Sequence, residues 1–293
     1  MGSEIVYGPY KKGSNPDRST VTIIVEHPEP LLVIEKVVRE VTVSSWNDIE
    51  VEEHYHIRNV GPTFKDGFSR VEYSRNPKAY IANDFSLVLP KEAHSLFFID
   101  VLGNITTSNA RFEHEKVTVE AVPRFPLVGG WQTHFTFGYK LPKYSFIRTE
   151  PKTGSKVLSM DILPAVQGIH INNLTISAAV PEFSTKVGGG ALASTVLFTE
   201  LDPFRLVKTS SGVKKHFFDL FGRPVHTLEM SDISPELSQV AFEFYVKYSF
   251  NDILKWKEPS MILAMIGVFA AVSFTWSISD FTLVKKGKKV KTT

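Results

Sequence analysis

The sequence predicts a mainly β protein: an antiparallel β-sandwich ectodomain followed by a single C-terminal transmembrane α-helix. Three observations carry that prediction. Apolar and polar residues alternate along much of the chain, the period-two pattern of strands half buried in an antiparallel sheet. Turn-forming residues interrupt the alternation at short intervals, and hardly a segment of helical period intervenes. Near the C-terminus, the nineteen residues Met261–Ser279 carry no charge. At about 1.5 Å per residue they span roughly 28 Å, close to the hydrocarbon thickness of a bilayer.

In chain order, the first alternating run is Val21, Ile23 and Val25. In the next, Ile49, Val51, Tyr55 and Ile57 face away from Glu50, Glu52, His54, His56 and Arg58. Val117, Val119 and Ala121 repeat the pattern. It is strongest at Thr133-Phe135-Phe137-Tyr139-Leu141 and from Val240 to Phe250. Between these runs lie His27-Pro28-Glu29-Pro30, Asn59-Val60-Gly61-Pro62, Asn76-Pro77, Gly129-Gly130 and Gly222-Arg223-Pro224, all turn signals. The 22 Phe and 9 Tyr supply large side chains for a sandwich interior. Val187–Ala191, with three consecutive glycines, reads as a mobile loop, and Tyr144–Gly154 as a possible internal boundary. Residues 122–142 form a sharp corner feeding a core strand. There Pro123 and Pro126 fix φ, Gly129 and Gly130 allow positive φ, and Trp131 is placed to anchor the turn in the core.

Charge and composition exclude several functions. The 33 basic and 31 acidic residues give a net charge of +2, and removing the five lysines of the C-terminal tail leaves 2 − 5 = −3 for the rest. No basic surface points to nucleic acid. There are no cysteines, so the body is held by packing alone. His54 and His56 share a strand face beside Glu50 and Glu52, a spacing that permits a metal site but is far more common in a solvated strand face. Phosphate-loop, dinucleotide, His-Glu-x-x-His and Gly-x-Ser-x-Gly signatures are absent. The chain therefore offers no catalytic constellation, metal site or cofactor site.

The apolar stretch orders the rest. Lys255, Trp256, Lys257 and Pro259 precede it, and Lys285, Lys286, Lys288, Lys289 and Lys291 follow. The lysine excess favours a cytoplasmic C-terminus. The preceding residues are then lumenal, and the Asn-x-Thr sequons at Asn104 and Asn173 are candidate N-glycosylation sites. Lys291 and Lys289, three and five positions from the end, resemble a dilysine endoplasmic-reticulum retrieval signal. An ordinary basic flank attracted to anionic lipid explains them equally well. The domain reading is a short leading segment at 1–19, a lumenal β-sandwich at 20–255, a transmembrane helix with its flanks at 256–284 and a basic tail at 285–293. Only about ten residues separate the last strand from the span, which holds the ectodomain close to the bilayer. The first seventeen residues contain no apolar run, so they are not a signal peptide. Either the chain begins inside a longer one, or the span acts as a late insertion signal and the body stays cytosolic.

Several blocks resemble one family in order. Pro123-Arg124-Phe125-Pro126-Leu127, Gly129-Gly130-Trp131, Thr133-His134 and Gly138-Tyr139 resemble the core signature of ribophorin I, a subunit of the endoplasmic-reticulum oligosaccharyltransferase. Tyr7–Tyr10, Trp46–Ile49, Gly67–Arg70, Asp100 with Gly103–Ser108, Phe221-Gly222-Arg223-Pro224-Val225 and Tyr248–Asn251 extend the likeness over nearly the whole chain. The resemblance implies the second of two lumenal β domains plus the membrane helix, with the first domain and its signal sequence outside this chain. It implies a non-catalytic role in transfer of dolichol-linked oligosaccharide to Asn of Asn-x-Ser/Thr in nascent proteins. The implied partners are the catalytic and small membrane subunits, nascent glycoproteins and membrane lipid. Gly267, Ala270, Ala271 and Ser273 would let partner helices approach closely. The competing reading is a membrane-anchored lumenal binding or chaperone module with other partners.

Overall fold

A computed structural model of the chain describes residues 29–64, 67–75, 80–193, 208–216, 219–235 and 242–279. The alternating run at Val21–Val25 and the tail with Lys289 and Lys291 lie outside them. The longest strands are those in which the period-two pattern is longest. β1 (Leu32–Val43) and β2 (Asp48–Asn59) form an antiparallel hairpin. A register shift between Ile34 and Lys36 puts Ile34 and Val37 on one face, as a β-bulge does. A short helix, α1 (Arg70–Arg75), leads to β3 (Phe85–Pro90), β4 (His94–Asp100), β5 (Gly103–Asn104), β6 (Asn109–Phe112), β7 (Lys116–Ala121) and β8 (Gln132–Pro142). Then come α2 (Lys143–Phe146), β9 (Ile147–Thr149), β10 (Lys156–Asp161), β11 (His170–Ala179), β12 (Thr185–Ala193), β13 (Lys208–Lys214), β14 (Arg223–Ile233) and β15 (Phe242–Ser249).

The strands make an eight-stranded sheet in the order β13-β14-β11-β1-β2-β8-β4-β5, a four-stranded sheet β12-β15-β10-β9 and a three-stranded sheet β3-β7-β6. Among the described strands, β1 and β11 pair in parallel and the other pairings are antiparallel. One hydrophobic core draws on all three sheets, with Val51, Phe137 and Ile176 from the largest, Leu87 and Val119 from the smallest, and Leu158 and Phe244 from the third. Two corrections follow. Val187–Ala191 is not a loop but part of β12, whose glycines lie along the neighbouring strand β15. Trp131 is not in the core; it is 43% exposed and lies on the ring of Phe68, while Leu127 and Val128 enter the interior.

Register fixes the two ends of the body. Thr42 of β1 lies opposite Ala179 of β11, Ala179 opposite Val225 of β14, Asp48 of β2 opposite Pro142 of β8, and Thr185 of β12 opposite Ser249 of β15. The turn after β1, α2, the turn after β11, the approach to β14 and the exit from β15 therefore cluster at one end. From there a 3-10 turn (Asp252–Trp256), capped by Asn251 accepting from the Ile253 amide, leads into α3 (Lys257–Ile278). Pro259 falls in the first turn of α3, where its missing N–H breaks no helical bond. The helix buries none of its residues, although residues 261–278 are uncharged. A core helix would hide that surface; this one is long and apolar enough to cross a bilayer.

Candidate functional site: a distal cleft and a helix junction

The two densest signature blocks lie at opposite ends of the body. At the distal end, the corner 123–131 wraps the β2 exit. Asn59, fully buried, donates from Nδ2 to the Tyr80 and Leu127 carbonyls at 3.0 Å each and accepts from the Gly61 amide. The Gly130 amide donates to the Asn59 carbonyl at 2.7 Å, and the Asn59 amide to the Trp131 carbonyl at 3.0 Å. Gly130 has φ +83°, as expected for the turn. Gly129 serves otherwise than expected: its φ is not positive, but a Cβ there would lie 2.0 Å from the Pro62 carbonyl oxygen, so the two chain segments could not approach.

Arg124 of that corner grips Asp100, with Nε at 2.8 Å from Oδ2 and Nη2 at 3.2 Å from Oδ1. Asp100 Oδ1 also accepts from the Leu102 and Gly103 amides, both at 2.9 Å, and so shapes the tight turn into β5. The Arg124 hydrogen bonds hold the Asp100 carboxyl below its usual range. Two blocks read separately in the sequence, Pro123–Pro126 and Asp100 with Gly103–Ser108, are thus one structural unit. Pro123, Arg124, Phe125, Pro126 and Trp131 line a shallow cleft of about 140 Å³ over Phe98 and Phe135, and Phe125 is 63% exposed at its rim. Asn104 projects to solvent from the edge strand β5 beside this cleft. Asn173 is also exposed, in the interior strand β11, with Nδ2 donating to the Glu35 carbonyl at 3.4 Å.

At the other end, Gly222-Arg223-Pro224 meets the start of α3. Gly222 has φ +95°, and a Cβ there would lie 2.7 Å from Val213 Cγ1. The Phe221 and Gly222 amides both donate to Glu182 Oε1, while Lys257 pairs with Glu182 Oε2. Burial pushes the Glu182 carboxyl up, but Lys257 and the two amides outweigh it and hold it below the usual range. Arg223 pairs with Asp219 at 3.2 Å and reaches Glu258 of α3 at 3.8 Å. The Pro224 carbonyl accepts from the Val180 amide at 3.0 Å. Phe183, held at φ +66°, packs edge-on against Phe221 and under the Lys257 ammonium. Positive φ is uncommon for so bulky a residue. On the other flank, Trp46 meets Trp256 edge-on at 5.6 Å, and Lys156 pairs with Asp252 at 2.5 Å.

The paired-histidine pattern separates in three dimensions. His54 bonds Thr136 Oγ1 at 2.8 Å and groups with Glu52 and Glu40. His56 turns instead onto the ring of His134, and burial with His134 lowers its pKa. Glu40 of the group is already paired with Lys214. The sequence reading missed a buried cluster on the inward faces of β1, β2 and β8. Arg39 and Glu53 stand directly opposite, with Nε 3.1 Å from Oε1. Arg39 also donates to the Asp161 and Leu163 carbonyls and to the Tyr139 hydroxyl. Glu53 accepts from the Tyr55 and Tyr139 hydroxyls and the Ala165 amide. Strand parity was the available signal, since position 53 falls between Val51 and Tyr55 on the apolar face.

The match to known families covers both ends: residues 1–277 fit Ribophorin I. The chain belongs to the ribophorin I family. Among curated relatives, subunit 1A of the dolichyl-diphosphooligosaccharide–protein glycosyltransferase of Arabidopsis thaliana is 31% identical, over 97% of this chain and 44% of the relative. Subunit 1B of the same plant is 32% identical over 97% of this chain and 59% of the relative. Subunit 1 of Caenorhabditis elegans is 29% identical over 95% and 46% respectively. The chain thus spans about half the length of these ribophorin I relatives.

Proposed function

We propose that this chain is a non-catalytic subunit of the endoplasmic-reticulum oligosaccharyltransferase, supporting transfer of dolichol-linked oligosaccharide to Asn of Asn-x-Ser/Thr in nascent proteins. The family match over residues 1–277, which takes in the β body and α3 together, carries the reading. In this arrangement α3 is a single membrane span, the body is lumenal and the lysine tail is cytosolic. Lys289 and Lys291 then serve retrieval to the endoplasmic reticulum.

The charge pattern supports a scaffold. Arg39 is ion-paired with Glu53, Asp100 with Arg124 and Glu182 with Lys257. Such mutual pairing fixes geometry rather than leaving an acid and a base poised for proton transfer. The distal cleft, at about 140 Å³, is well below the ~300–1,000 Å³ of small-molecule sites. It is too small for a lipid-linked oligosaccharide and suits a side chain of an extended acceptor polypeptide, with Phe125 and Trp131 as apolar contacts. α3 packs against the catalytic and small membrane subunits through Gly267, Ala270, Ala271 and Ser273.

Extraction of tagged chain in mild detergent tests the reading: the catalytic subunit is expected to co-purify, and its absence overturns the assignment. Recovery with other lumenal proteins instead would favour the binding-module alternative. Glycosidase treatment tests topology. Asn104→Gln is expected to remove one glycan-sized mobility step and Asn173→Gln a second, whereas a chain with neither modification favours the cytosolic alternative.

A further inference from the structure

The end of the body from which α3 departs carries more exposed aromatic surface than a water-facing end requires. Tyr144 is 82% exposed, Ile253 75%, Phe221 71% and Trp256 59%, with Trp46 and Leu220 beside them. They come from four separate segments that register and contact bring together: the β1–β2 turn, α2, the approach to β14 and the 3-10 turn. Trp46 touches Trp256. The Lys143 amide donates to the Asn47 carbonyl at 3.0 Å, which sets Tyr144 beside the β1–β2 turn. Phe221 is held through Glu182 to Lys257, at the first residue of α3.

The geometry points to a lipid-binding collar: we propose that Trp46, Tyr144, Leu220, Phe221, Ile253 and Trp256 dip into the headgroup–acyl boundary of the bilayer that α3 crosses. The proposal rests on the reading of α3 as a membrane span and adds to it a second, loop-built contact with lipid. Distance supports it. Lys257 is tied to the body, and the uncharged run starts four residues later at Met261, about 6 Å along the helix. The headgroup layer on each face is itself roughly 5–8 Å thick, so residues level with Trp256 lie within it. Chemistry supports it too. Tryptophan and tyrosine favour that layer because an apolar ring carries a polar edge. Two carboxylates that flank the helix start are each neutralised, Asp252 by Lys156 and Glu182 by Lys257, while Arg223 is shared between Asp219 and Glu258.

The 293 residues include no cysteine, so single nitroxide labels can be placed on this chain. Four variants, Tyr144→Cys, Phe221→Cys, Phe269→Cys in mid-helix and Val60→Cys at the distal end, are reconstituted in phosphatidylcholine vesicles. Collision of each label is measured with oxygen, which concentrates in lipid, and with a water-soluble nickel chelate. The expected oxygen-to-nickel ratio is highest at 269, several-fold above the position-60 value at 144 and 221, and lowest at 60. If 269 reports lipid while 144 and 221 match 60, the collar is overturned and the span stands. Shielding of 144 and 221 from both reagents would mean that protein covers them, and overturns the collar as well. A water-exposed 269 overturns the span and the collar with it.

Discussion

Glu53 shows how far one buried charge depends on its neighbour. It sits fully buried on the core side of β2, opposite an Arg39 that is 4% exposed. Removing one partner of such a pair leaves the other charged and unpaired in low dielectric, at a cost of about 3–5 kcal/mol, whereas replacing both with apolar groups is often close to neutral. Glu53→Leu alone is therefore expected to lower the denaturant midpoint of the full chain sharply, and Arg39→Met with Glu53→Leu to recover part of the loss, the remainder reflecting the Tyr55 and Tyr139 hydroxyls and the Ala165 amide left unpaired. The cluster was hidden in the sequence because a charged residue on an apolar face looks like a break in the pattern, and its partner belongs to another strand. Arg124 behaves differently because it is exposed. Arg124→Ala removes the hydrogen bonds that hold Asp100 down, so the Asp100 carboxyl is expected to titrate closer to its ordinary range by NMR, with faster amide exchange at Leu102 and Gly103 and little change in global stability.

At the scale of elements, period-two alternation made β2, β7, β8 and β15 legible, and absence of charge made α3 legible. What failed had physical reasons. β12 is written in glycines, which carry no side-chain pattern, so a strand paired along β15 read as a loop. The bulge in β1 breaks strict alternation, and nothing local encodes its parallel pairing with β11. Prolines and glycines mark 123–131 as a corner, but the partners of Arg124 and Gly129 lie 24 and more residues away. Gly222-Arg223-Pro224 read as a turn, and only the fold shows that it fastens α3 to the body. Gly222→Ala forces a side chain into positive φ against Val213, with strain of about 1–3 kcal/mol. Its expected result is increased hydrogen exchange across Asp252–Lys257 with the strands of the core unchanged. Uniform loosening of the whole body would instead mean that the turn supports the core rather than the junction.

For the whole molecule, the core joins strands from before and after Tyr144–Gly154, since β1 and β2 pair with β11 and β8 in one sheet. We expect the body to unfold in a single cooperative transition despite that possible boundary, and the pH dependence of the transition follows from its titrating groups. Burial lowers the pKa of His56, His216 and His226. Below about pH 6.5 the unfolded chain therefore binds protons at these positions before the folded one does, and stability falls. Asp100, Glu182 and Asp252 are also lowered, Asp100 and Asp252 chiefly by hydrogen bonds from Arg124 and Lys156, and Glu182 by Lys257 against an opposing burial effect. Their stabilisation is present above the ordinary carboxylate pKa and is lost as pH drops through the folded values, which steepens the decline below about pH 4. Lys143 has the opposite consequence. Burial, with Lys156 nearby, lowers it to about 8 from 10.5. Below about 8 both states carry its charge and the folded one bears the desolvation cost. Between that value and 10.5 the folded form has shed the proton while the unfolded chain retains it, so stability rises with pH. Thermal unfolding in detergent across pH 4–10 is expected to show a falling midpoint on acidification and a gain above pH 8 that Lys143→Met abolishes while raising the neutral-pH midpoint. Persistence of that alkaline gain in Lys143→Met would assign it to another group, and two separable transitions would divide the body at the boundary.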